Sequence, residues 1–136
     1  MATDLLVNID VADLEKAVAF YRDGLGLRLG RRLFDGAAEM LGASSPVNLL
    51  EKPAGSAAFP RARQQRDYQR HWTPVHLDLV VADIHAAVDK AKAAGARVEG
   101  KVRTFKWGHM ATLADPFGNG FCLIQFLGRG YDELRG

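Results

Sequence analysis

The sequence predicts an α+β fold in which the order strand, helix and three strands occurs twice, as two βαβββ modules. An internal repeat is the first observation behind this prediction: the segment Val11–Val18 (VADLEKAV) returns as Val81–Val88 (VADIHAAV), about half the chain later. The second observation is that three short apolar runs, with turn residues between them, follow each copy. The two halves of the chain are therefore expected to share one topology.

Each module opens with an alternating apolar segment, Leu5–Ile9 in the first and Val75–Val81 in the second, which is typical of a half-buried strand. The helix that follows carries a single apolar stripe at helical spacing. Asp13 and Asp83 are expected to cap these helices, because a short side-chain oxygen accepts from the free amides of the first turn. The expected helix stops are glycines that tolerate a left-handed backbone, namely Gly24 or Gly26 and Gly95.

Turn residues divide the remainder of each module into three predicted strands. In chain order these are Arg28–Phe34, Ala37–Leu41, Val47–Glu51, Arg97–Val102, Gly108–Leu113 and Gly120–Phe126. The segment Asp115–Asn119 (DPFGN) predicts a tight turn, because proline presets φ and glycine tolerates a positive φ. A hairpin is expected to close there.

The length of 136 residues predicts one domain, 1–136, with module one at about 4–52 and module two at about 74–128. Residues 53–73 are interpreted as a linker, because proline, glycine and polar residues interrupt regular structure there. The linker is long for a compact domain, which leaves three roles open. These roles are to cover one face, to hold a short helix or to move over the site.

Composition and charge exclude several classes of protein. Hydrophobic residues make up 48% of the chain and the net charge is +2, which is ordinary for a folded protein and too small a surplus for a nucleic-acid partner. Cys122 is the only cysteine, so no intramolecular disulfide is possible. We find no signal peptide and no membrane-spanning run, and expect a cytoplasmic protein with no membrane partner. The clustered arginines of the linker are interpreted as solvated, without a catalytic role: Arg61, Arg63, Arg66 and Arg70.

Several short motifs, in a fixed order, accompany the repeated topology. They are Val11–Leu14 (VADL), Phe20–Tyr21, Leu25–Leu27 (LGL), His76–Asp78 (HLD), Trp107–Gly108 and Asp115–Asn119 (DPFGN). Together they resemble the vicinal oxygen chelate superfamily, which includes glyoxalases, bleomycin-resistance proteins and extradiol dioxygenases. The resemblance covers nearly the whole chain and implies a curved mixed sheet around a cup, in a glyoxalase-like fold. It also implies a homodimer.

Alternation along the opening strands assigns residues to the two faces of the sheet that the resemblance implies. On the first strand Val7, Ile9 and Val11 are expected to pack beneath the helix. The residues expected to face the cup are Leu6, Asn8 and Asp10 in the first module, and His76, Asp78 and Val80 in the second. The polar side chains thus fall on the cup side.

Metal-dependent relatives place His and Glu ligands at four positions, which correspond here to Leu6, Asn48, His76 and Cys122. Only His76 is a standard ligand there, since Leu6 cannot coordinate and a neutral amide binds transition metals poorly. Cys122 would make the site soft, or it is a small core residue, which is the preferred interpretation. No cofactor is therefore expected, and a divalent metal is possible but disfavoured.

His76 and Asp78 are the candidate catalytic residues, because residues two apart on a strand face the same way and a carboxylate orients an imidazole. The alternatives are that His76 only stabilises the fold, or that Asp78 accepts bonds from the linker arginines. Trp107 and His109 are expected to share a face and form an aromatic wall, unless Trp107 is ordinary core. The candidate ligand-binding residues are Asn8, Asn48, Trp107, His109 and Cys122.

Two functional hypotheses follow from these residues and the resemblance. The first is a metal-free protein that binds an apolar or aromatic small molecule in the cup. The second is a lyase, epimerase or dioxygenase that uses His76 as a ligand or general base. A third interpretation, in which the cup is filled and the chain is only a dimeric interaction module, has no direct support in the sequence.

Overall fold

The computed structural model describes residues 2–135, which form two compact units, one ending at Gln69 and the other beginning at Arg70. Each unit contains one mixed sheet with one α-helix packed on it. The α+β class and the doubled order of elements predicted from the sequence are therefore confirmed. None of the helices in the described part of the chain is long and apolar enough to span a membrane.

The first unit repeats the predicted order of strand, helix and three strands. Its elements are β1 (Val7–Val11), α1 (Leu14–Asp23), β2 (Arg28–Phe34), β3 (Ala37–Leu41) and β4 (Val47–Glu51). The strand order across the sheet is β1-β4-β3-β2. Strand β1 runs parallel to β4, whereas β3 is antiparallel to both of its neighbours. The opening strand β1 therefore lies at the edge of the sheet, beside the closing strand β4.

The second unit has the same core order with one strand divided. Its elements are β5 (Leu77–Val80), α2 (Ile84–Ala93), β6 (Arg97–Val98), β7 (Arg103–Phe105), β8 (Gly108–Ala114), β9 (Gly120–Phe126) and a 3-10 helix (Gly130–Leu134). The sheet order is β5-β9-β8-β6, and β7 also pairs with β8. A single strand over Arg97–Val102 was the wrong prediction, because Gly100 has a φ of 91° and interrupts the extended backbone.

The caps of both α-helices are as predicted. The Asp13 carboxylate accepts from the Lys16 amide at 3.1 Å, and Asp83 accepts from the amides of His85 and Ala86. Of the two glycines expected to stop α1, Gly26 is the one with a left-handed backbone, at a φ of 74°. Satisfying the first amides in this way fixes where each helix starts on its sheet.

The core of each unit lies between its helix and one face of its sheet. In the first unit Val18 and Phe20 of α1 are buried with Leu49 of β4. In the second unit Ile84 of α2 is fully buried with Leu123 of β9. The opposite face of each sheet carries no α-helix of its own unit, and we call it the helix-free face.

The turn at Asp115–Asn119 joins β8 to β9, and the predicted hairpin is confirmed. The Asp115 side chain accepts from the amides of Phe117 at 2.8 Å and Asn119 at 3.0 Å. Gly118 has a φ of 79°, a conformation that glycine adopts without steric cost. One aspartate and one glycine thus fix the register of the two longest strands of the unit.

The interpreted linker contains no helix, and its residues up to Gln69 belong to the first unit. We refer to residues 53–69 as the connecting loop. Arg66 donates to Asp10 of β1 at 2.7 Å and also to oxygens of Ser56 and Ala57 within the loop. The Tyr68 hydroxyl donates to the Lys52 carbonyl at 2.6 Å. The loop is therefore fastened to the opening strand of the first unit.

Candidate functional site

The helix-free face of the first unit carries a row of polar side chains across three strands. Asn8 pairs in register with Asn48, and Asn48 pairs in turn with Glu39. The Asn48 amide nitrogen donates to the Asn8 side-chain oxygen at 3.1 Å. Since register partners project to the same side of a sheet, these three side chains form one continuous row.

Glu39 is a member of this row that sequence reasoning missed. Its carboxylate accepts from the Arg31 guanidinium at 2.9 Å and 3.1 Å, and its side chain is only 11% exposed. The hydrogen-bonded Arg31 guanidinium holds the pKa of Glu39 below its usual value. The signal that was available is a carboxylate in the middle of the otherwise apolar strand segment Ala37–Leu41.

The matching row of the second unit contains two of the predicted site residues. Asp78 pairs in register with Cys122, and Cys122 pairs with Thr112. His76 lies just before β5, and its Nε2 atom is 3.2 Å from Oδ1 of Asp78. The metal-binding atoms of His76, Asp78 and Cys122 all lie within 4.8 Å of one another. We call these three residues the His-Asp-Cys cluster.

Exposure differs sharply within the His-Asp-Cys cluster. The side chains of His76 and Asp78 are 56% and 39% exposed, whereas Cys122 is buried. Burial raises the pKa of the Cys122 thiol, which a hydrogen bond with Thr112 partly counteracts. The cluster therefore joins a solvent-accessible imidazole and carboxylate to a buried thiol whose pKa is raised.

Trp107 belongs to an aromatic cluster at the end of the same face. It lies in the turn between β7 and β8 and stacks on Phe105, with ring centroids 5.1 Å apart and an angle of 1° between the planes. It also contacts Phe126 and Tyr131. We call these four residues the aromatic cluster. Phe105 and Phe126 both pair in register with Gly108, so they share the side of the sheet on which Cys122 lies.

His109 does not belong to either cluster, and the expectation that it shares a face with Trp107 is wrong. Trp107 lies in a turn, where the alternation of a strand does not apply. His109 pairs in register with Gln125, whose side chain accepts from the first amide of α2. It therefore projects to the helix side, where its Nδ1 atom is 2.9 Å from the Thr104 hydroxyl.

Gly108 also has a different role from the expected one. A side chain at this position would meet the carbonyl oxygen of Gln125 on β9. The close approach that the glycine permits is therefore that of a neighbouring strand. Two of the four linker arginines bind carboxylates other than Asp78: Arg66 pairs with Asp10, and Arg70 pairs with Glu99 at 2.7 Å.

A surface groove of about 580 Å³ opens elsewhere in the first unit, at the start of α1. Its lining residues are Asp13, Leu14, Glu15, Arg32, Phe34, Asp35, Gly36 and Glu51. Glu51 accepts from the Leu14 amide at 2.7 Å, so part of the lining is already engaged in holding the helix. None of the predicted site residues lines this groove.

Comparison with known proteins relates both the sequence and the fold to one group. The glyoxalase-like domain family matches residues 6–124. Among solved structures, a glyoxalase/bleomycin resistance protein/dioxygenase family enzyme from Burkholderia phytofirmans PsJN is 21% identical, with a TM-score of 0.71, and the match covers 92% of this chain and 100% of that one. The fosfomycin resistance protein FosX from Listeria monocytogenes is 18% identical, with a TM-score of 0.70 and coverage of 93% and 96%. No curated protein matches the chain.

The chain therefore belongs to the glyoxalase-like domain family, within the vicinal oxygen chelate superfamily. The residues at the four ligand positions do not fit the superfamily's usual centre. Leu6 has no donor atom, and the amide nitrogen of Asn48 is bonded to Asn8. Leu6 therefore supplies no ligand, and Asn48 offers only a neutral amide oxygen, which transition metals bind weakly.

Proposed function

We propose that the protein binds an apolar or aromatic small molecule against a helix-free sheet face, without the usual metal centre of its superfamily. The observation that carries this proposal is the Asn8–Asn48 amide pair, with its 3.1 Å hydrogen bond, where metal-dependent relatives place a ligand. An amide pair is neutral and offers both donors and acceptors. It suits the orientation of an uncharged polar group better than the coordination of a cation.

The aromatic cluster supports an apolar ligand. Phe105 and Phe126 are each 37% exposed and Tyr131 is 50% exposed, so a substantial apolar surface is open to solvent. The Phe105 ring covers one face of Trp107, so the exposed parts of the Phe105, Phe126 and Tyr131 rings are the surface offered to a ligand. Small-molecule sites commonly combine such aromatic surface with a few polar groups that fix orientation.

A thermal-shift screen with uncharged aromatic compounds tests the proposal. A ligand of the native state should raise the melting temperature by an amount that grows with the logarithm of its concentration above Kd, and a concentration of 100 times Kd adds about 2.7 kcal/mol. Fosfomycin is included as a probe, because three of the similar solved structures, from two organisms, are named as fosfomycin resistance proteins. A screen in which no compound gives a concentration-dependent shift would contradict the proposal.

The residues involved are checked with a matched pair in the C-terminal 3-10 helix. Tyr131→Ala removes a ring of the aromatic cluster and should weaken binding of a screening hit about two- to tenfold. Leu134→Ala removes a side chain of the same helix that is 62% exposed and should leave affinity unchanged. Equal effects of the two substitutions would move the binding site away from the aromatic cluster.

A second candidate function is enzymatic, and the 3.2 Å contact between His76 and Asp78 favours it. A carboxylate that orients an exposed imidazole is a common arrangement for proton transfer. We propose that His76 acts as the base if the protein is a lyase, epimerase or dioxygenase. The expected readout is exchange of an acidic C–H next to a carbonyl with deuterated water, followed by NMR, and His76→Ala should slow it about 10²- to 10⁴-fold. Exchange at the same rate in the His76→Ala variant would sink this candidate.

We also propose a homodimer in the cytoplasm. Exposed apolar side chains support an interface between two copies of the chain. Leu5 and Leu6, before β1, are 70% and 61% exposed, and Trp72, before β5, is 82% exposed. The single cysteine agrees with a reducing compartment. Light scattering after size-exclusion chromatography tests the assembly, and a monomeric mass over a wide range of concentrations would refute it.

A further inference from the structure

The His-Asp-Cys cluster has the composition of a soft metal site, and one unit supplies all of it. Parallel pairing of β5 with β9 puts Asp78 directly beside Cys122. His76 precedes the strand, and its Nε2 atom is 3.2 Å from Asp78. The three donor atoms lie within 4.8 Å of one another, although they come from two segments far apart in sequence.

The geometry requires only small movements to accept an ion. Tetrahedral zinc bonds of about 2.0–2.3 Å place neighbouring donors about 3.3–3.8 Å apart, so side-chain shifts of about 1 Å suffice. His76 and Asp78 are exposed and free to make such shifts, whereas the backbone of β9 fixes the position of Cys122. The exposed side of the cluster also gives an ion a path from solvent.

The donor set decides which ions fit. Imidazole and thiolate suit zinc and other soft or borderline cations, whereas magnesium and calcium prefer oxygen ligands. Three protein donors with an open fourth position are the usual number for a zinc ion that also holds water or an exogenous ligand. An ion that binds here displaces the thiol proton of Cys122 to solvent, so one proton is released for each ion bound.

We propose that the second unit binds a soft or borderline divalent cation, such as Zn²⁺ or Cd²⁺, through His76, Asp78 and Cys122. This site shares the positions of His76 and Cys122 with the centre that the superfamily resemblance implies, but its donor set is different. It takes no ligand from the first unit, it replaces a carboxylate by a thiolate, and Asp78 lies outside the four ligand positions. It is also independent of the proposed organic ligand, since the metal alone is the probe.

Titration of the purified full chain with Co²⁺ tests the site by its spectrum. Binding should give a thiolate-to-cobalt charge-transfer band in the near ultraviolet together with the visible bands of tetrahedral cobalt, and Zn²⁺ should abolish both by displacement. Mg²⁺ in excess should leave the bands unchanged. Absence of the charge-transfer band at millimolar Co²⁺ would overturn the proposal.

Variants assign the ligands. Cys122→Ser should remove the charge-transfer band, and Asp78→Asn and His76→Ala should each weaken Co²⁺ binding about 10- to 100-fold. The matched controls are His85→Ala and Asp89→Asn, at exposed positions on α2 of the same unit, and both should bind Co²⁺ as the unchanged protein does. Should Cys122→Ser fail to fold, the ligand substitutions Asp78→Asn and His76→Ala still decide. Full Co²⁺ affinity in both of these variants would overturn the proposal, whatever the outcome of the organic-ligand screen.

Discussion

At the scale of single residues, the helix-free face of the first unit contains a nearly buried carboxylate, that of Glu39, whose charge is balanced by an arginine. Its side chain is nearly buried between the neighbouring strands and is bound by Arg31, whose own side chain is 76% exposed. A carboxylate in this position needs a partner, because desolvation penalises its charge. Arg31 supplies that partner from solvent, and the pKa of Glu39 is lowered as a result.

The Glu39–Arg31 pair makes stability dependent on pH. A carboxyl whose pKa is lower in the folded chain than in the unfolded one stabilises the fold above the unfolded pKa of about 4.3. That contribution is lost as the pH falls through the folded value. We expect Glu39→Gln to flatten the fall in unfolding free energy below about pH 5, measured by urea denaturation.

Glu15 provides the comparison for this prediction. Its pKa is also lowered, by a hydrogen bond with Arg32, but its side chain is 70% exposed. Solvent screens an exposed pair, so Glu15→Gln should change the pH profile much less than Glu39→Gln. A larger effect at Glu15 would show that the burial of Glu39 does not control the pH dependence.

The sequence could predict site residues that lie two apart on a strand, but not those brought together by register or by a loop. His76 and Asp78 were expected on one side because alternation places them there, and they are in contact. The contact of Asp78 with Cys122 depends on how β5 pairs with β9, which periodicity does not determine. The Asp10–Arg66 pair depends on the path of an irregular loop, which leaves no periodic signal.

At the scale of elements, the hairpin β8–β9 organises the second unit. Its turn is fixed by Asp115, and its far end requires a residue without a side chain, Gly108, opposite β9. Strands β2, β3, β4 and β9 have the bounds that their apolar runs predicted. Of the predicted strand Arg97–Val102 only β6 is formed, since Gly100 interrupts it, and β7 lies beyond the predicted run and was missed.

Gly108→Ala should destabilise the second unit. The new methyl group would meet the Gln125 carbonyl of β9, and backbone atoms cannot move aside as side chains do. Overpacking of this kind costs about 1–3 kcal/mol, which chemical denaturation would measure.

Gly120→Ala is the matched control at the other end of the hairpin. Its methyl group would meet only the end of the flexible Arg70 side chain, so a smaller loss of stability is expected. Equal losses from the two substitutions would contradict the packing argument for Gly108.

At the scale of the whole molecule, the two units keep one topology but differ in chemistry at the same place. The register position occupied by Asn8 and Asn48 in the first unit is occupied by Asp78 and Cys122 in the second. The internal repeat predicted the shared topology, because both halves bury the same apolar pattern. It did not predict that one row would be neutral and the other rich in metal-binding atoms, since these residues face away from the helices that define the repeat.

The anchored end of the connecting loop has a practical use. Arg66 and Tyr68 secure one end to the first unit, while Phe59 and Arg63 near the loop's tip are exposed. Replacing or extending the stretch between those two residues leaves the anchors untouched, since solvent-facing tips tolerate insertion. A fluorescent label or an affinity tag is best attached there, where it reports on the protein without disturbing either sheet.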